Sequence, residues 1–162
     1  MFIVYTNLYV KTCPPLLNSD PGPVYTQSGP HLSAGYFEIQ RTGDDTSGRE
    51  WERTKKMGVN TLALRMMQRD AFYMVDADCI CITNEVPWEK NRQWLDVLAK
   101  SGTPLFVPIA EDAYTEEVKK ALTEAFEKAA AEHSPSIPED IIENHTPKRW
   151  ISDFGVDEYN WD

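Results

Sequence analysis

The sequence predicts an α/β fold built from parallel βα units, and three observations lead to this prediction. Short runs rich in β-branched and aromatic residues alternate along the chain with longer segments of helical spacing. Gly and Pro stand where those helices are expected to end. The 162 residues are 41% hydrophobic and 26% charged, which is typical of a globular domain with a real core. Strands that alternate with helices form parallel sheets covered by those helices.

The first part of the chain predicts two strands, a long loop and a helix. Residues 2–12 are rich in Phe, Ile, Val, Tyr and Thr and predict a strand, and residues 34–41 predict a second one. Residues 14–33 contain many Pro, Gly, Ser and Asn, which predicts a loop between the two strands. Residues 47–68 have helical spacing, although Gly58 weakens the middle of that helix.

The second part predicts two further strands and two further helices. Residues 74–82 and 104–110 are apolar runs of strand length. The helix that starts at Pro87 is expected to end at Gly102. Thr115 is expected to cap the last helix. From residue 133 onward the chain is rich in Pro and predicts an extended appendage with short strands.

Four βα-type units allow two architectures. One is a small open sheet. The other is the C-terminal half of a (β/α)8 TIM barrel, because a closed barrel takes about 250 residues and at least about 200. Unclosed parallel strands leave two unpaired sheet edges, which predicts self-association through those edges.

Composition excludes several classes of function. The net charge is −10, and residues 111–162 carry 5 Lys and Arg against 14 Asp and Glu, so nucleic acid is not an expected partner. No apolar run is long enough to span a membrane, and the start lacks the features of a signal peptide. The three cysteines form no disulfide framework, since Cys79 and Cys81 have the spacing of a buried strand, and the three histidines have no zinc spacing. We therefore expect no metal, no cofactor and a reducing, cytoplasmic location.

The candidate site lies where acids follow the predicted strands. Arg41 and Asp45 follow the second strand, and Glu111 and Asp112 follow the fourth. Strands of a parallel sheet end at one rim, which is where α/β active sites lie. Acids clustered in a cleft shift each other's pKa values and permit acid/base chemistry. The alternatives are that these are solvated loop acids, or that Asp44, Asp45 or Thr46 caps the next helix.

Asp76 and Asp78 belong to this rim under one of two strand registers. If the third strand covers residues 74–82, both acids lie early in the strand and away from the rim. If the strand covers residues 71–75 instead, both acids follow it and join Asp45.

Five segments, in order, resemble α-galactosidase-type glycoside hydrolases of the melibiase clan. The Arg41-Thr42-Gly43-Asp44-Asp45-Thr46 segment resembles the sixth barrel strand of that clan, where an Arg-x-x-x-Asp supplies the general acid/base. The other four are similar to the fifth, seventh and eighth strands and to the start of the β-rich domain that follows the barrel: Cys13-Pro14-Pro15-Leu16-Leu17, Asp76-Ala77-Asp78, the segment 94–106, and Thr146-Pro147-x-x-Trp150.

The resemblance implies that residues 1–132 are the C-terminal half of a glycosidase-like barrel and that residues 133–162 are a linker and the start of a β-rich domain. It implies that Asp45 is the catalytic acid/base, and that Arg41, Asp76 and Asp78 bind a carbohydrate substrate. The chain departs from the clan because it has Pro14 where Gly is common, and Val75 and Ala77 where Asn and Pro are common.

The clan's nucleophile, the Asp of a Lys-x-Asp motif, has no counterpart in the 162 residues. We therefore expect a fragment of a retaining glycosidase for α-galactosides or related sugars, inactive by itself. The alternative is a non-catalytic carbohydrate-binding or interaction protein that keeps a degenerate glycosidase rim.

Overall fold

A computed structural model describes residues 39–69 and 71–162, together with the backbone of Tyr25–Thr26. The predicted strand over residues 2–12 and the Cys13 segment lie outside the described residues. The strands are β1 (Tyr25–Thr26), β2 (Ile39–Arg41), β3 (Met74–Asp76), β4 (Ile137–Pro138), β5 (Arg149–Ser152) and β6 (Gly155–Glu158). The α-helices are α1 (Trp51–Thr54), α2 (Thr61–Arg65), α3 (Trp88–Ser101) and α4 (Glu116–Ala130).

The first sheet is parallel, as the alternation of strands and helices predicts. Its order is β1-β2-β3, with Ile39 opposite Met74 and Arg41 opposite Asp76. The chain that follows β3 continues into residues 79–82. These residues pair in parallel with residues 105–109, through bridges from Cys79 to Phe106 and from Ile82 to Ile109. The neighbours in this sheet therefore follow one another in chain order.

Strand β1 lies within residues 14–33, for which the sequence predicted a loop throughout. Tyr25 pairs with Ile39 and Thr26 with Gln40. Aromatic and β-branched residues favour a strand, and a neighbouring parallel strand supplies the hydrogen bonds that a short run of them lacks by itself.

The predicted helix over residues 47–68 is confirmed, but it begins at Trp51 and is irregular. Between α1 and α2 lies a π-helical stretch, Lys55–Asn60, and a 3-10 turn, Met66–Gln68, ends the helical segment. Gly58 lies in the π-helical stretch, and a Cβ atom there would come within 2.8 Å of the Trp94 ring. The glycine that weakens the sequence pattern thus permits close packing of this helix on α3.

The two later helices have the ends that their sequence predicts. Gly102 follows α3 with φ of 66°, the left-handed conformation in which glycine is favoured at a helix end. The Thr115 side chain accepts a hydrogen bond from the Val118 backbone N–H at the start of α4.

The last thirty residues form the predicted short strands, which pair in the antiparallel order β4-β5-β6. Trp150, Tyr159 and Trp161 of this region are buried in the same apolar core as the helices. The Trp51 ring N–H donates to the Trp161 carbonyl oxygen at 2.7 Å. The division into residues 1–132 and 133–162 stays a prediction. Among the described residues, none of the helices has the length and apolar character that a membrane span requires.

Candidate functional site

The acids that the sequence places after its strands lie at one rim of the parallel sheet. Strand β2 ends at Arg41 and β3 ends at Asp76, directly opposite each other. The chain then turns at Asp78, which has φ of 67°. The strand matches neither predicted register, 74–82 or 71–75, because it covers Met74–Asp76, with Asp76 as its last residue and Asp78 just beyond it. The turn after β3 is unusual, because a left-handed backbone is uncommon for residues other than glycine.

Arg41 connects the carboxylates of this rim. Its guanidinium donates to Asp45 Oδ1 at 2.7 Å and also forms an ion pair with Asp78. Burial of Arg41 by itself would lower its pKa, but the charges of Asp78, Asp76 and Asp45 outweigh burial and raise the pKa of Arg41 above its usual value. The four residues therefore form one charged cluster, which we call the Arg41 cluster.

Asp45 is the carboxylate of the Arg41 cluster that solvent reaches most freely. Its side chain is 73% exposed, while that of Asp78 is 7% exposed. Because Arg41 is mostly buried and Asp45 is not, the ion pair fixes the direction of the Asp45 side chain without covering it. A ligand above the rim would meet Asp45 first.

Asp78 is bound by the protein on both of its oxygens. Oδ1 faces Arg41, and Oδ2 accepts the Thr46 backbone N–H at 2.7 Å and the Thr46 hydroxyl at 3.1 Å. Thr46 also donates from its hydroxyl to the Cys79 carbonyl oxygen at 2.6 Å. Asp78 thus ties the loop after β2 to the turn after β3. This role of Thr46 was not predicted from the sequence, although Thr46 follows two acids after a predicted strand.

Asp76 is the most enclosed acid of the Arg41 cluster. It is 4% exposed, and its Oδ1 accepts the Asp78 backbone N–H at 2.9 Å. Burial raises the pKa of Asp76 above its usual value, and the hydrogen bond from Asp78 and the charge of Arg41 only partly offset this effect. The folded protein therefore holds the Asp76 proton more tightly than the unfolded chain does.

We expect Asp76→Asn to raise the free energy of unfolding at about pH 7. Ionisation of Asp76 destabilises the folded state as the pH rises through its raised pKa, and asparagine does not ionise. At about pH 3 the Asp76 side chain of the wild type and the asparagine of the variant are both neutral. The difference between the two proteins in the free energy of unfolding should therefore nearly vanish. Urea unfolding of both proteins at the two pH values measures it, with exposed Glu111→Gln as the control. A variant less stable than wild type at neutral pH would contradict this assignment.

The capping alternative for Asp44, Asp45 and Thr46 is wrong. Helix α1 begins at Trp51, and the residue at its N-cap, Glu50, makes no side-chain cap. Asp44 instead accepts the Asp45 backbone N–H and pairs with Arg53, and both contacts lower the pKa of Asp44.

Gly43 allows the loop that carries Asp45 to lie directly on the helical segment. A Cβ atom at this position would overlap the Met57 carbonyl oxygen and come within 2.7 Å of Thr61 Oγ1. Since a backbone atom cannot rotate away as a side chain does, a side chain at position 43 would displace the loop.

We expect Gly43→Ala to lower the free energy of unfolding by about 1–3 kcal/mol, the usual cost of adding atoms to a closely packed region. Thermal or urea unfolding measures this change. Ser47→Ala, an exposed position in the same loop, is the matched control and should stay close to wild type. Equal stability of the two variants would show that the loop does not depend on this contact.

Glu111 and Asp112 end the fourth stretch of the sheet at the same rim. They lie in a 3-10 turn, Glu111–Ala113, directly after the segment that pairs at Ile109. Asp112 accepts a hydrogen bond at 2.9 Å from Asn84, which follows the neighbouring segment. The structure gives no contact between this pair and the Arg41 cluster in its described part.

Two cavities of the described residues lie elsewhere. One, of about 340 Å³, lies between the end of α4 and Phe154. The other, of about 520 Å³, lies between α3, α4 and the hairpin of β5 and β6. Within residues 39–69 and 71–162, no group of three His, Cys, Asp or Glu side chains is arranged to hold a metal ion.

The second cavity contains a charged network that the sequence analysis did not predict. Lys100, whose side chain is 6% exposed, pairs with Asp96 at 2.6 Å and Asp157 at 2.8 Å. Lys128 and the Tyr159 hydroxyl also donate to Asp96, at 2.7 Å each. These hydrogen bonds outweigh burial and lower the pKa of Asp96. The network joins α3, α4 and β6, which identifies it as a structural connection.

Comparison with known proteins leaves the chain without an assigned family. Neither a scan against protein-family models nor a search of curated proteins finds a match for it.

Proposed function

We propose that this chain supplies the acid/base side of a retaining glycoside hydrolase site of the α-galactosidase type. Asp45 is the general acid/base, and Arg41 orients it and contacts the sugar. The observation that carries the proposal is the geometry of Asp45, whose carboxylate is 73% exposed at the rim of a parallel sheet and held at 2.7 Å by Arg41. This is the Arg-x-x-x-Asp pair on which the resemblance rests.

The order of the sheet supports a partial (β/α)8 barrel as the fold. In such a barrel each strand pairs with the next one along the chain, and helices cover the outside. Strands β2 and β3, and then residues 105–109, follow this order, with helical segments between them. The unpaired edges of such a half barrel are where self-association would occur.

The proposed chemistry divides between this chain and a second carboxylate. In a retaining glycosidase two carboxyl groups lie about 5–5.5 Å apart across the scissile bond. One attacks the anomeric carbon, while the other protonates the leaving oxygen and then takes a proton from the attacking water. Asp45 has the second role. The nucleophile comes from residues outside these 162, and the reaction needs no cofactor.

One observation favours the non-catalytic alternative, a carbohydrate-binding protein with a degenerate rim. Asp76 is buried and Asp78 is bound on both oxygens, so neither is placed to act as a second free carboxylate beside Asp45. Without a second free carboxylate from the Arg41 cluster beside Asp45, the rim would bind a hydroxylated ligand through hydrogen bonds without cleaving it.

An external nucleophile tests the proposal on the chain as it is. Azide in place of the missing carboxylate attacks the anomeric carbon of an aryl α-galactoside from the face opposite the leaving group. The new C–N bond replaces the C–O bond, and Asp45, which must first take a proton from solvent because it pairs with Arg41 as a carboxylate, gives that proton to the departing phenol oxygen. We expect phenol release that depends on azide and yields the inverted β-galactosyl azide, with no release in its absence.

The result separates the two functions. Saturable galactoside binding by calorimetry, without azide-dependent release, would support the carbohydrate-binding alternative. Hydrolysis by the isolated chain without azide would contradict the statement that the nucleophile is absent from it. If the chain shows neither galactoside binding nor azide-dependent phenol release, both proposals are wrong.

A further inference from the structure

Two thiols lie in contact directly beside the Arg41 cluster. The Sγ atoms of Cys79 and Cys81 are 3.3 Å apart, and both side chains are half-buried. The sequence analysis interpreted these cysteines as packing in a strand, where residues two apart share one face. The two sulfurs also lie in contact with each other, and neither is joined in a disulfide.

The two thiols lie just after the turn at Asp78, whose left-handed backbone follows β3. The Ile80 and Ile82 backbone N–H groups on either side of Cys81 donate to the Phe106 and Pro108 carbonyl oxygens. The backbone is held there, so closer approach of the sulfurs requires rotation of the two cysteine side chains. A disulfide bond is about 2.05 Å long, so the sulfurs need to approach by about 1.3 Å more.

The two thiols have different acidity. The hydrogen bond from Cys79 stabilises the Cys81 thiolate and lowers the pKa of Cys81 against the opposing effect of burial. The same hydrogen bond, with burial and the charge of Asp78, raises the pKa of Cys79. The thiolate is the attacking form, and this difference favours Cys81 as the nucleophile of the pair.

We propose that Cys79 and Cys81 form a reversible dithiol–disulfide pair that a small disulfide such as oxidised glutathione converts. The Cys81 thiolate attacks one glutathione sulfur, and the S–S bond of glutathione breaks to release one glutathione thiolate. Cys79 then loses its proton to solvent and attacks the Cys81 sulfur, which releases the second glutathione thiolate. Two protein thiols are oxidised, one disulfide is reduced, and the two protons end on two glutathione molecules.

Oxidation should alter the loop that carries Asp45. Cys79 Sγ also lies 3.8 Å from the Thr46 carbonyl oxygen, so the one thiol proton of Cys79 can face that oxygen or Cys81, and a disulfide has no such proton. Gly48 lies against the backbone of Cys81, where an added Cβ atom would overlap it. A change at the Cys79 sulfur therefore acts directly on Thr46. This inference does not depend on the proposed glycosidase function.

The test uses the 162-residue chain with Cys13→Ser, which leaves Cys79 and Cys81 as its cysteines. The protein is equilibrated with reduced and oxidised glutathione, quenched with acid and weighed by mass spectrometry. We expect a monomer that has lost two hydrogen atoms and regains them with excess reduced glutathione. The matched controls, which add Cys79→Ser or Cys81→Ser, should give glutathione adducts only. Adducts, linked dimers or unmodified protein in place of the internal disulfide would overturn the proposal.

Hydrogen exchange tests the effect on the loop. The Thr46 amide, which donates to Asp78, should exchange faster in the oxidised form than in the reduced form. Amides of α4 should exchange equally in both and serve as the internal reference. Equal exchange at Thr46 would overturn the connection between the thiols and the loop.

Discussion

Asp78→Asn is expected to lower the free energy of unfolding by about 1–3 kcal/mol, the usual cost of taking a hydrogen-bond partner from a buried group, because Arg41 keeps its ion pair with Asp45. The side chains of Arg41 and Asp78 are 17% and 7% exposed, so water cannot replace the lost partner fully. Asparagine tolerates the left-handed backbone at this position, which separates the loss of charge from backbone strain. Urea unfolding at neutral pH measures the change.

Two further variants identify the cause of that loss. Asp45→Asn removes the exposed partner of the same arginine and should cost at most about 1 kcal/mol. The double variant Arg41→Met, Asp78→Asn removes the largely buried guanidinium that Asp78→Asn leaves with Asp45 as its remaining ion-pair partner, and it should be more stable than Asp78→Asn alone. If Asp78→Asn costs no more than Asp45→Asn, the Arg41 cluster does not hold the loop in the way described.

Local sequence signals were sufficient for the helices and for the rim. Gly102 and Thr115 marked helix ends because glycine and threonine act there through their own backbone and side-chain chemistry. Asp45 was placed at the sheet edge because consecutive parallel strands end on the same side, while Asp76 was placed there under only one of two strand registers. These predictions needed no knowledge of distant contacts.

Long-range contacts explain what the sequence did not reveal. The choice of Asp78 as the buried partner of Arg41 depends on a turn with φ of 67°, which no local pattern indicated. The close packing of Gly58, within the π-helical stretch, involves Trp94, a residue 36 positions away. The role of Gly43 depends in the same way on the Met57 backbone.

Asp45→Asn is expected to reduce azide-dependent release of an unactivated phenol by about 10²–10⁴-fold, the usual contribution of a positioned general acid. Asparagine has nearly the size of aspartate but cannot act as a general acid. Because the variant should fold normally, the loss would belong to the chemical step. Asp44→Asn, one position away and paired with Arg53, is the matched control and should keep most of the rate.

The leaving group provides the most direct test of Asp45 as the general acid. A phenol leaving group needs a proton from a general acid as its bond to the sugar breaks. When α-galactosyl fluoride is the substrate, the fluoride ion departs with far less need for general-acid catalysis. Rates with azide are therefore compared for wild type and Asp45→Asn on both substrates. We predict a large loss for the phenyl galactoside and a small one for the fluoride. Equal losses on the two substrates would contradict proton donation by Asp45.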